Sequence, residues 1–160
     1  MDPSEATDHV EITCLLSAYA DVVTRRAWLE LSELFEPAAP VRVDTVTTPA
    51  RDLAGPEELG AFIARAIERF AFFELVVLNA RVELASGGDA DRARARVLIS
   101  EIRQDREGEW SSTYGVYHDE LRRAPGDHSV GWRFARRNYQ SLARTGSPTP
   151  FPFPAGFDLA

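Results

Sequence analysis

The residues best suited to chemistry in this chain are tyrosines and carboxylates. Tyr117 and Asp119 stand two positions apart in a segment predicted to be a strand, so both side chains share one face, roughly 7 Å apart. The phenol could then hydrogen-bond a carbonyl or enolate oxygen, with the carboxylate working beside it, as in an oxyanion hole. The structural alternative is a wall tyrosine and a rim carboxylate paired with an arginine such as Arg137.

Three further polar residues stand in apolar surroundings. Tyr19 lies on the apolar face of a predicted helix, either as a core residue with a satisfied hydroxyl or as a catalytic donor. Glu101 interrupts the apolar stretch 97–102, and it is either an outward edge residue or a pocket acid with a raised pKa. Asn79 sits in the middle of an apolar strand, where a structural hydrogen bond is favoured over a ligand contact.

Other kinds of site lack their usual residues. The single cysteine, Cys14, excludes an internal disulfide and a multi-cysteine zinc site. His9, His118 and His128 are scattered, so we expect no metal site and no cofactor. His118 and Asp119 are neighbours on a strand and point to opposite faces, which prevents a dyad. Any chemistry must therefore fall to tyrosines and carboxylates.

The composition narrows the class of protein. The chain has 160 residues, 18 basic against 25 acidic, and a net charge of −7; all the basic residues are arginines. We expect one domain with its own core, and no nucleic-acid partner, because phosphate binding needs a basic face. No apolar run approaches the roughly 20 residues of a membrane span, and the N-terminus is acidic rather than signal-like. These features predict a soluble cytoplasmic protein without a membrane partner.

Helical signals dominate the first part of the chain. Residues 1–7 are expected to be frayed, and Asp8 with Glu11 forms a capping-box pattern that predicts the helix start. A second helical stretch covers 28–35, and the Gly-Pro-Glu-Glu run at 55–58 predicts the start of a third helix. The first helix has one apolar face, made by Ile12, Leu15, Leu16, Tyr19 and Val23.

Strand signals dominate the rest. One short strand is predicted at 41–46, before the third helix; the others are predicted at 72–84, 92–103, 110–121 and 132–142, with breaks at 86–89, 107–108 and 125–127. Short connections between long strands predict an antiparallel meander. Segregated helices and strands indicate an α+β fold with helices on one face of a curved sheet. Residues 143–160 form a Pro/Phe-rich tail, either a disordered end or a strap over a pocket or a neighbouring subunit.

Six segments in this order resemble the SnoaL-like branch of the nuclear transport factor 2-like superfamily: 16–21, 28–35, 55–58, 77–83, 114–121 and 131–137. The resemblance implies a cone-shaped α+β barrel over residues 8–142, with a curved, mixed or antiparallel sheet and the N-terminal helices on its concave face. It also implies an apolar pocket between the sheet and the first helix, and a homodimer formed through the outer sheet face.

The resemblance also indicates which residues to inspect. Scytalone dehydratase and a dehydrochlorinase of this superfamily use an Asp–His pair as general base, and the aligned positions here are Thr24 and Leu75. Neither can accept a proton near neutral pH, so we predict that both line the pocket without a dyad. The resemblance directs Tyr19, Tyr117 and Asp119 toward the pocket, with Glu101 as a further candidate. The other expected lining residues are Val23, Trp28, Phe62, Phe73, Asn79 and Arg137.

Two functions remain open at this point, because the superfamily contains both enzymes and non-catalytic subunits. The first is a cofactor-independent enzyme that cyclises, dehydrates, isomerises or hydrolyses a polyketide-, terpenoid- or steroid-like molecule by tyrosine and carboxylate chemistry. The second is a non-catalytic ligand-binding protein or accessory subunit, which the missing dyad favours. In both, the predicted partner is a small hydrophobic ligand.

Overall fold

The computed structural model describes residues 2–85, 89–126 and 131–154. These ranges contain three α-helices and one six-stranded mixed sheet, which confirms the predicted α+β class. A single 3₁₀ turn, Trp28–Glu30, precedes the second helix. The helices are α1 (Pro3–Arg25), α2 (Leu31–Leu34) and α3 (Gly55–Ile67), and the strands are β1 (Pro40–Asp44), β2 (Arg51–Ala54), β3 (Phe70–Leu84), β4 (Arg92–Asp105), β5 (Trp110–Arg123) and β6 (Trp132–Arg144).

The sheet has the order β2-β1-β6-β5-β4-β3. Strands β3 to β6 form the predicted antiparallel meander, and β1 joins it in parallel with β6, with Val41 opposite Arg137. Strand β2 was not predicted, because its four residues, RDLA, show no apolar alternation; it pairs with β1 at the edge. The sheet is not closed, and the helices cover its concave face, as in a nuclear transport factor 2-like cone.

Helix α1 begins earlier than predicted. Its N-cap is Asp2, whose carboxylate accepts the Ser4 and Glu5 backbone N–H groups, while the Glu5 side chain completes the capping box. The predicted N-cap at Asp8 is therefore wrong, and α1 includes residues 3–7, for which we expected a frayed start. Two matching Asp-x-x-Glu patterns occur six residues apart, and Pro3, suited to the first helical turn, favours the first.

Asp8 is instead a tertiary contact. Its carboxylate accepts hydrogen bonds from both terminal nitrogens of Arg123, at 2.9 and 3.0 Å, and from Trp132 Nε1 at 3.1 Å. The hydrogen bond from Arg123 lowers the pKa of Asp8 despite the opposing effect of burial. These bonds tie α1 to β5 and β6 at one end of the sheet, away from the cavity described below.

Helix α3 begins at Gly55, as predicted, and the backbone explains why. Gly55 has a φ of +78°, and a Cβ at this position would lie 2.3 Å from the carbonyl oxygen of Pro37. Pro56 then occupies the first turn, where its missing N–H needs no partner. This sharp entry from β2 directs α3 across the open end of the sheet.

The described part of the tail packs on the outer face of the sheet. The Phe151 N–H donates to the Leu142 carbonyl, and Gln140 Nε2 donates to the Pro152 carbonyl, both at 2.7 Å. The Phe153 ring meets the His118 ring edge to face, with centroids 6.1 Å apart. Residues 151–153 therefore contact the protein's own sheet, and they do not line the cavity described below. The predicted turn at 86–88, His128 and the tail residues 155–160 lie outside the described residues.

Candidate active site

A cavity of about 230 Å³ lies between α1, α3 and the inner face of the sheet. Most of its wall is apolar, which suits a small hydrophobic ligand. The apolar lining residues are Val23, Val41, Val43, Leu59, Phe62, Ile63, Ala66, Ile67, Phe70, Phe73 and Leu75. The polar ones are Tyr19, Thr45, Arg69, Glu101, Arg103, Tyr117, Arg137 and Tyr139.

One charged pair is built into the cavity wall. Arg137 Nε and Nη2 donate to the two carboxylate oxygens of Asp119 at 2.8 and 2.7 Å, and both residues are almost fully buried. Burial alone would lower the pKa of Arg137, but Asp119 beside it offsets this and raises the pKa. The structural alternative for Asp119 is therefore the one observed: it holds Arg137 and is not itself part of the cavity lining.

Aromatic rings enclose the same guanidinium group. The Arg137 Cζ lies 4.0 Å from the Tyr117 and Phe134 ring centroids and 4.2 Å from the Tyr19 centroid. Within the described residues, Arg137 Nη1 has no hydrogen-bond partner. Burial raises the pKa values of Tyr19 and Tyr117, so both phenols stay protonated near neutral pH. Two hydroxyl donors and one N–H donor thus meet at this end of the cavity.

Glu101 is the cavity's carboxylate. It lines the wall, and about a fifth of its side chain is exposed. Its nearest ion-pair partner is Arg103, with 3.8 Å between Arg103 Nη1 and Glu101 Oε2, too long for a hydrogen bond. Desolvation raises its pKa, and Arg103 and Arg144 only partly oppose the rise. Glu101 thus lines the cavity and is not an outward edge residue, and its surroundings favour the alternative of a pocket acid with a raised pKa.

Sequence reasoning missed four polar wall residues: Thr45, Arg69, Arg103 and Tyr139. Tyr139 could have been found by alternation, because it stands two positions after Arg137 on β6 and therefore shares its face. Its hydroxyl lies 3.1 Å from Ser141 Oγ, and its ring centroid lies 5.3 Å from that of Tyr117. Arg103 is related to Glu101 by the same two-residue spacing on β4. Arg69 is in the α3–β3 turn, where no periodicity applies.

The predicted apolar lining is largely in place. Val23, Phe62, Phe73 and Leu75 all line the cavity. Three predicted lining residues do not line the cavity: Trp28, Asn79 and, as described next, Thr24. Trp28 lies in a separate surface cleft with Ala64 and Arg65. Asn79 is exposed, because a register shift between Val77 and Asn79 interrupts the alternation on which its prediction rested.

The two positions aligned with the dyad are in contact. The Leu75 N–H donates to Thr24 Oγ1 at 3.0 Å, so Thr24 joins α1 to β3 and, contrary to prediction, is not among the cavity lining residues. Leu75 pairs directly across the sheet with Glu101. The only carboxylate lining the cavity in the described ranges therefore stands one strand away from the position where the dyad histidine was expected.

Two other kinds of site have no candidate in the part of the chain that the structure describes. No group of three or more His, Cys, Asp or Glu side chains in the described ranges could hold a metal ion. No helix among the described residues is both long and apolar enough to cross a membrane.

Comparisons with known proteins agree with this geometry. Residues 4–138 match the family model of the SnoaL-like domain. A search of curated proteins finds no match.

Solved structures give the same fold over nearly the whole chain. A hexachlorocyclohexane dehydrochlorinase, LinA-type3 from Novosphingobium barchaimii, is 20% identical, with a TM-score of 0.75, covering 96% of this chain and 100% of its own. A Novosphingobium aromaticivorans protein proposed to be a scytalone dehydratase is 18% identical, with a TM-score of 0.75 and 98% of each chain covered. An NTF2-like protein with a cystatin-like fold from the same species is 25% identical, with a TM-score of 0.67, covering 91% and 87%.

Proposed function

Because the chain belongs to the SnoaL-like domain family, we propose that it is a cofactor-independent enzyme that moves a proton on a small apolar substrate. The reaction class is that of a cyclase, dehydratase, isomerase or hydrolase acting on a polyketide-, terpenoid- or steroid-like molecule. The dehydrochlorinase and dehydratase neighbours are consistent with this class. The observation that carries the proposal is a carboxylate with a raised pKa in an apolar cavity that also holds protonated phenols.

Each polar group has a role in this proposal. The Glu101 carboxylate accepts a proton from an acidic C–H group of the substrate, and negative charge develops on the neighbouring oxygen. The Tyr19 and Tyr117 hydroxyls and Arg137 Nη1 donate hydrogen bonds to that oxygen. Protonated Glu101 then returns the proton to another carbon in an isomerisation, or to a departing hydroxyl group in a dehydration. Asp119 is a positioning residue, because it acts by holding Arg137.

A base-catalysed probe reaction tests this without the natural substrate. In the Kemp elimination of 5-nitrobenzisoxazole, a base removes the C3 proton, the N–O bond breaks, and a coloured cyanonitrophenolate forms. We expect the wild-type protein to accelerate it, with a rate that rises with pH through the raised pKa of Glu101. Glu101→Gln removes the base and should lower the rate at least about 100-fold, the usual contribution of a positioned general base.

The matched control is Glu74→Gln. Glu74 is next to Leu75 on β3 and therefore points to the outer face of the sheet, away from the cavity. This variant should keep the wild-type rate and pH profile. Equal rates for the wild-type protein and Glu101→Gln would overturn the role of Glu101 and favour the alternative function.

That alternative is a non-catalytic ligand-binding or accessory protein. One observation favours it: the positions aligned with the Asp–His dyad hold Thr24 and Leu75, whose contact is a structural hydrogen bond. A protein of this kind would bind apolar ligands in the cavity and show no probe turnover.

We also propose a homodimer formed through the outer sheet face and a location in the cytoplasm. Support for the dimer comes from Phe72, Trp110 and Tyr114, whose large side chains are 39 to 55% exposed. Trp110→Glu should convert a dimer to a monomer in sedimentation velocity, and a wild-type monomer would count against the proposal.

The proposed location in the cytoplasm is supported by Cys14, whose free thiol is consistent with a reducing compartment. Localisation of a tagged full chain would test it.

A further inference from the structure

The charges around the cavity are not balanced. Among the described residues, four charged side chains line it: Arg69, Glu101, Arg103 and Arg137. Asp119 neutralises Arg137 through two hydrogen bonds. The other three are two arginines, Arg69 and Arg103, and one carboxylate, Glu101, so the lining carries an excess of positive charge although the chain as a whole has a net charge of −7.

Arg103 lacks a full set of partners. Its Nη2 donates to Thr113 Oγ1, its Nη1 is 3.8 Å from Glu101, and its buried Nε has no hydrogen-bond partner within the described residues. Desolvation lowers the pKa of Arg103, and the positive charges of Arg69 and Arg144 act in the same direction. A buried guanidinium group in this condition is destabilised until an anion reaches it.

Arg69 and Arg103 both contact one aromatic ring. Their Cζ atoms lie 4.8 and 5.2 Å from the Phe70 ring centroid. Arg69 is exposed and has no acidic partner among the described residues. A wider surface cleft of about 470 Å³ shares Arg69, Phe70 and Arg103 with the cavity, so these residues lie at the boundary between the cavity and the surface.

Arg144 adds positive charge behind this boundary. Its Nη2 donates to the carbonyl of Thr45, a residue that lines the cavity, and its Nη1 donates to Thr47 Oγ1. Both terminal nitrogens of Arg144 therefore have neutral partners, which leave its positive charge uncompensated. The carboxylates of the wider cleft, Asp105, Glu107 and Glu109, do not line the inner cavity. The Asp105 carboxylate accepts hydrogen bonds from the backbone N–H groups of Glu107 and Glu109, so it is already bound within the turn that joins β4 to β5.

We propose that Arg69 and Arg103 form an anion-binding subsite, and that the ligand is an apolar molecule bearing a carboxylate. The apolar body enters the cavity, and the carboxylate binds the two guanidinium groups at its boundary. This inference rests on the proposed use of the cavity as a ligand site. It adds the chemical class of the ligand and its orientation, with the carboxylate at the boundary and the opposite end toward Tyr19 and Tyr117.

A pair of probes that differ only in the head group tests the subsite. The neutral dye N-phenylnaphthylamine reports occupancy of the cavity by fluorescence, and octanoate and octanol compete for it. An apolar cavity alone prefers octanol, because burying a carboxylate without partners is unfavourable. With the subsite, octanoate should displace the dye at a concentration about tenfold lower, corresponding to about 1.4 kcal/mol.

The variants locate the effect. Arg69→Gln changes an exposed side chain and should reduce the preference for octanoate about threefold, the size expected for a partly exposed ion pair. Arg103→Gln should reduce it further, and octanol should displace the dye equally in all variants. Arg65→Gln is the matched control, since Arg65 is an exposed arginine near the end of α3 that does not line the cavity. The preference should also weaken at high salt.

The outcomes separate the two proposals. A preference for octanol in the wild-type protein, or an octanoate preference unchanged in both Arg69→Gln and Arg103→Gln, would overturn the anion subsite and leave the proposed proton-transfer chemistry standing. Failure of the dye to bind would overturn the cavity as a ligand site, and with it both proposals.

Discussion

Two carboxylate–arginine pairs lie near the same cavity, and they differ in hydrogen-bond geometry and in exposure to solvent. Asp119 and Arg137 lie on adjacent strands directly opposite each other and make two hydrogen bonds of 2.7 and 2.8 Å. Glu101 and Arg103 lie two positions apart on one strand, with 3.8 Å between their nearest charged atoms. The first pair is buried, with three aromatic rings around the guanidinium group of Arg137. The second pair is partly exposed to solvent.

This difference gives the two carboxylates different roles in the proposed site. Desolvation raises the pKa of Asp119 too, although Arg137 opposes the rise. Asp119 is still unsuited to act on a ligand, because both of its oxygens accept hydrogen bonds from Arg137 and it does not line the cavity. Glu101 has a raised pKa because desolvation outweighs the attraction of a distant arginine. A loose pair in an apolar wall thus leaves a reactive carboxylate, whereas a tight pair fixes an arginine in place.

The largest expected effect comes from breaking the tight pair. Asp119→Asn leaves the buried Arg137 guanidinium without its counter-charge and should lower the free energy of unfolding by about 3–5 kcal/mol. Urea denaturation monitored by circular dichroism measures this change.

Glu120→Gln is the matched control on the next residue. Glu120 faces the outside and is 3.8 Å from Arg136, with both side chains about half exposed. Its replacement should change stability by less than about 1 kcal/mol. Similar losses for the two variants would contradict the contrast between a sealed pair and a solvated one.

The sequence predicted both carboxylates but could not distinguish them. Alternation on β5 put Asp119 on the same face as Tyr117, and the family resemblance directed that face toward the pocket. The apolar neighbours of Glu101 left two alternatives, an outward edge residue and a pocket acid. Which of them has a tight partner depends on cross-strand register, and that register is set by irregularities between Tyr114 and Gly115 and between Glu120 and Leu121. No local pattern in one sequence specifies these shifts.

The fold was more predictable than the site for a related reason. The long strands and the apolar face of α1 are periodic over many residues, so errors at single positions do not change the interpretation. Asn79 and Trp28 were predicted from one position each, and one register shift or one short turn was enough to move them away from the cavity.

The contact between Gly115 and Tyr139, which lies between the two pairs, provides the next test. Gly115 lies on β5 between Thr113, which accepts from Arg103, and Tyr117, which packs on Arg137. A Cβ at Gly115 would lie 2.3 Å from Tyr139 Cε2. Gly115→Ala should therefore push the Tyr139 ring aside and cost about 1–3 kcal/mol in thermal or urea unfolding.

A second substitution separates a clash from a backbone effect. Tyr139→Leu removes the ring, so combining it with Gly115→Ala should give less destabilisation than the sum of the single variants. Strict additivity of the two losses in stability would show that glycine is required at position 115 for a reason other than the Tyr139 ring, which occupies the space where a Cβ would lie.

Breaking the pair of Glu101 and Arg103 should increase the free energy of unfolding, whereas breaking the pair of Asp119 and Arg137 should lower it. Because the pKa of Glu101 is raised on folding, the native state binds more protons than the unfolded state between the two pKa values, and stability falls as pH rises through that window. Glu101→Gln removes the buried charge and should increase stability by about 0.5–2 kcal/mol at neutral pH.

The pH dependence is the control for this prediction. The gain should vanish at pH values below the unfolded-state pKa, where Glu101 is protonated in both states, and reach its plateau above the native-state pKa. Thermal unfolding of both proteins across this range measures the difference. A loss of stability in Glu101→Gln at neutral pH would mean that the pair with Arg103 is stabilising after all.

The smallest expected effect comes from Arg103. Arg103→Gln removes a weak attraction at 3.8 Å together with the desolvation of a guanidinium group, so stability should change by no more than about 1 kcal/mol. Loss of this positive charge should still raise the pKa of Glu101 further, because Arg103 is the strongest influence opposing the rise. Carbon-13 NMR titration of the glutamate carboxyl carbons would follow it, with Arg65→Gln as control. An unchanged pKa would mean that desolvation alone sets the proton affinity of Glu101, and Arg103 would then serve the ligand rather than the base.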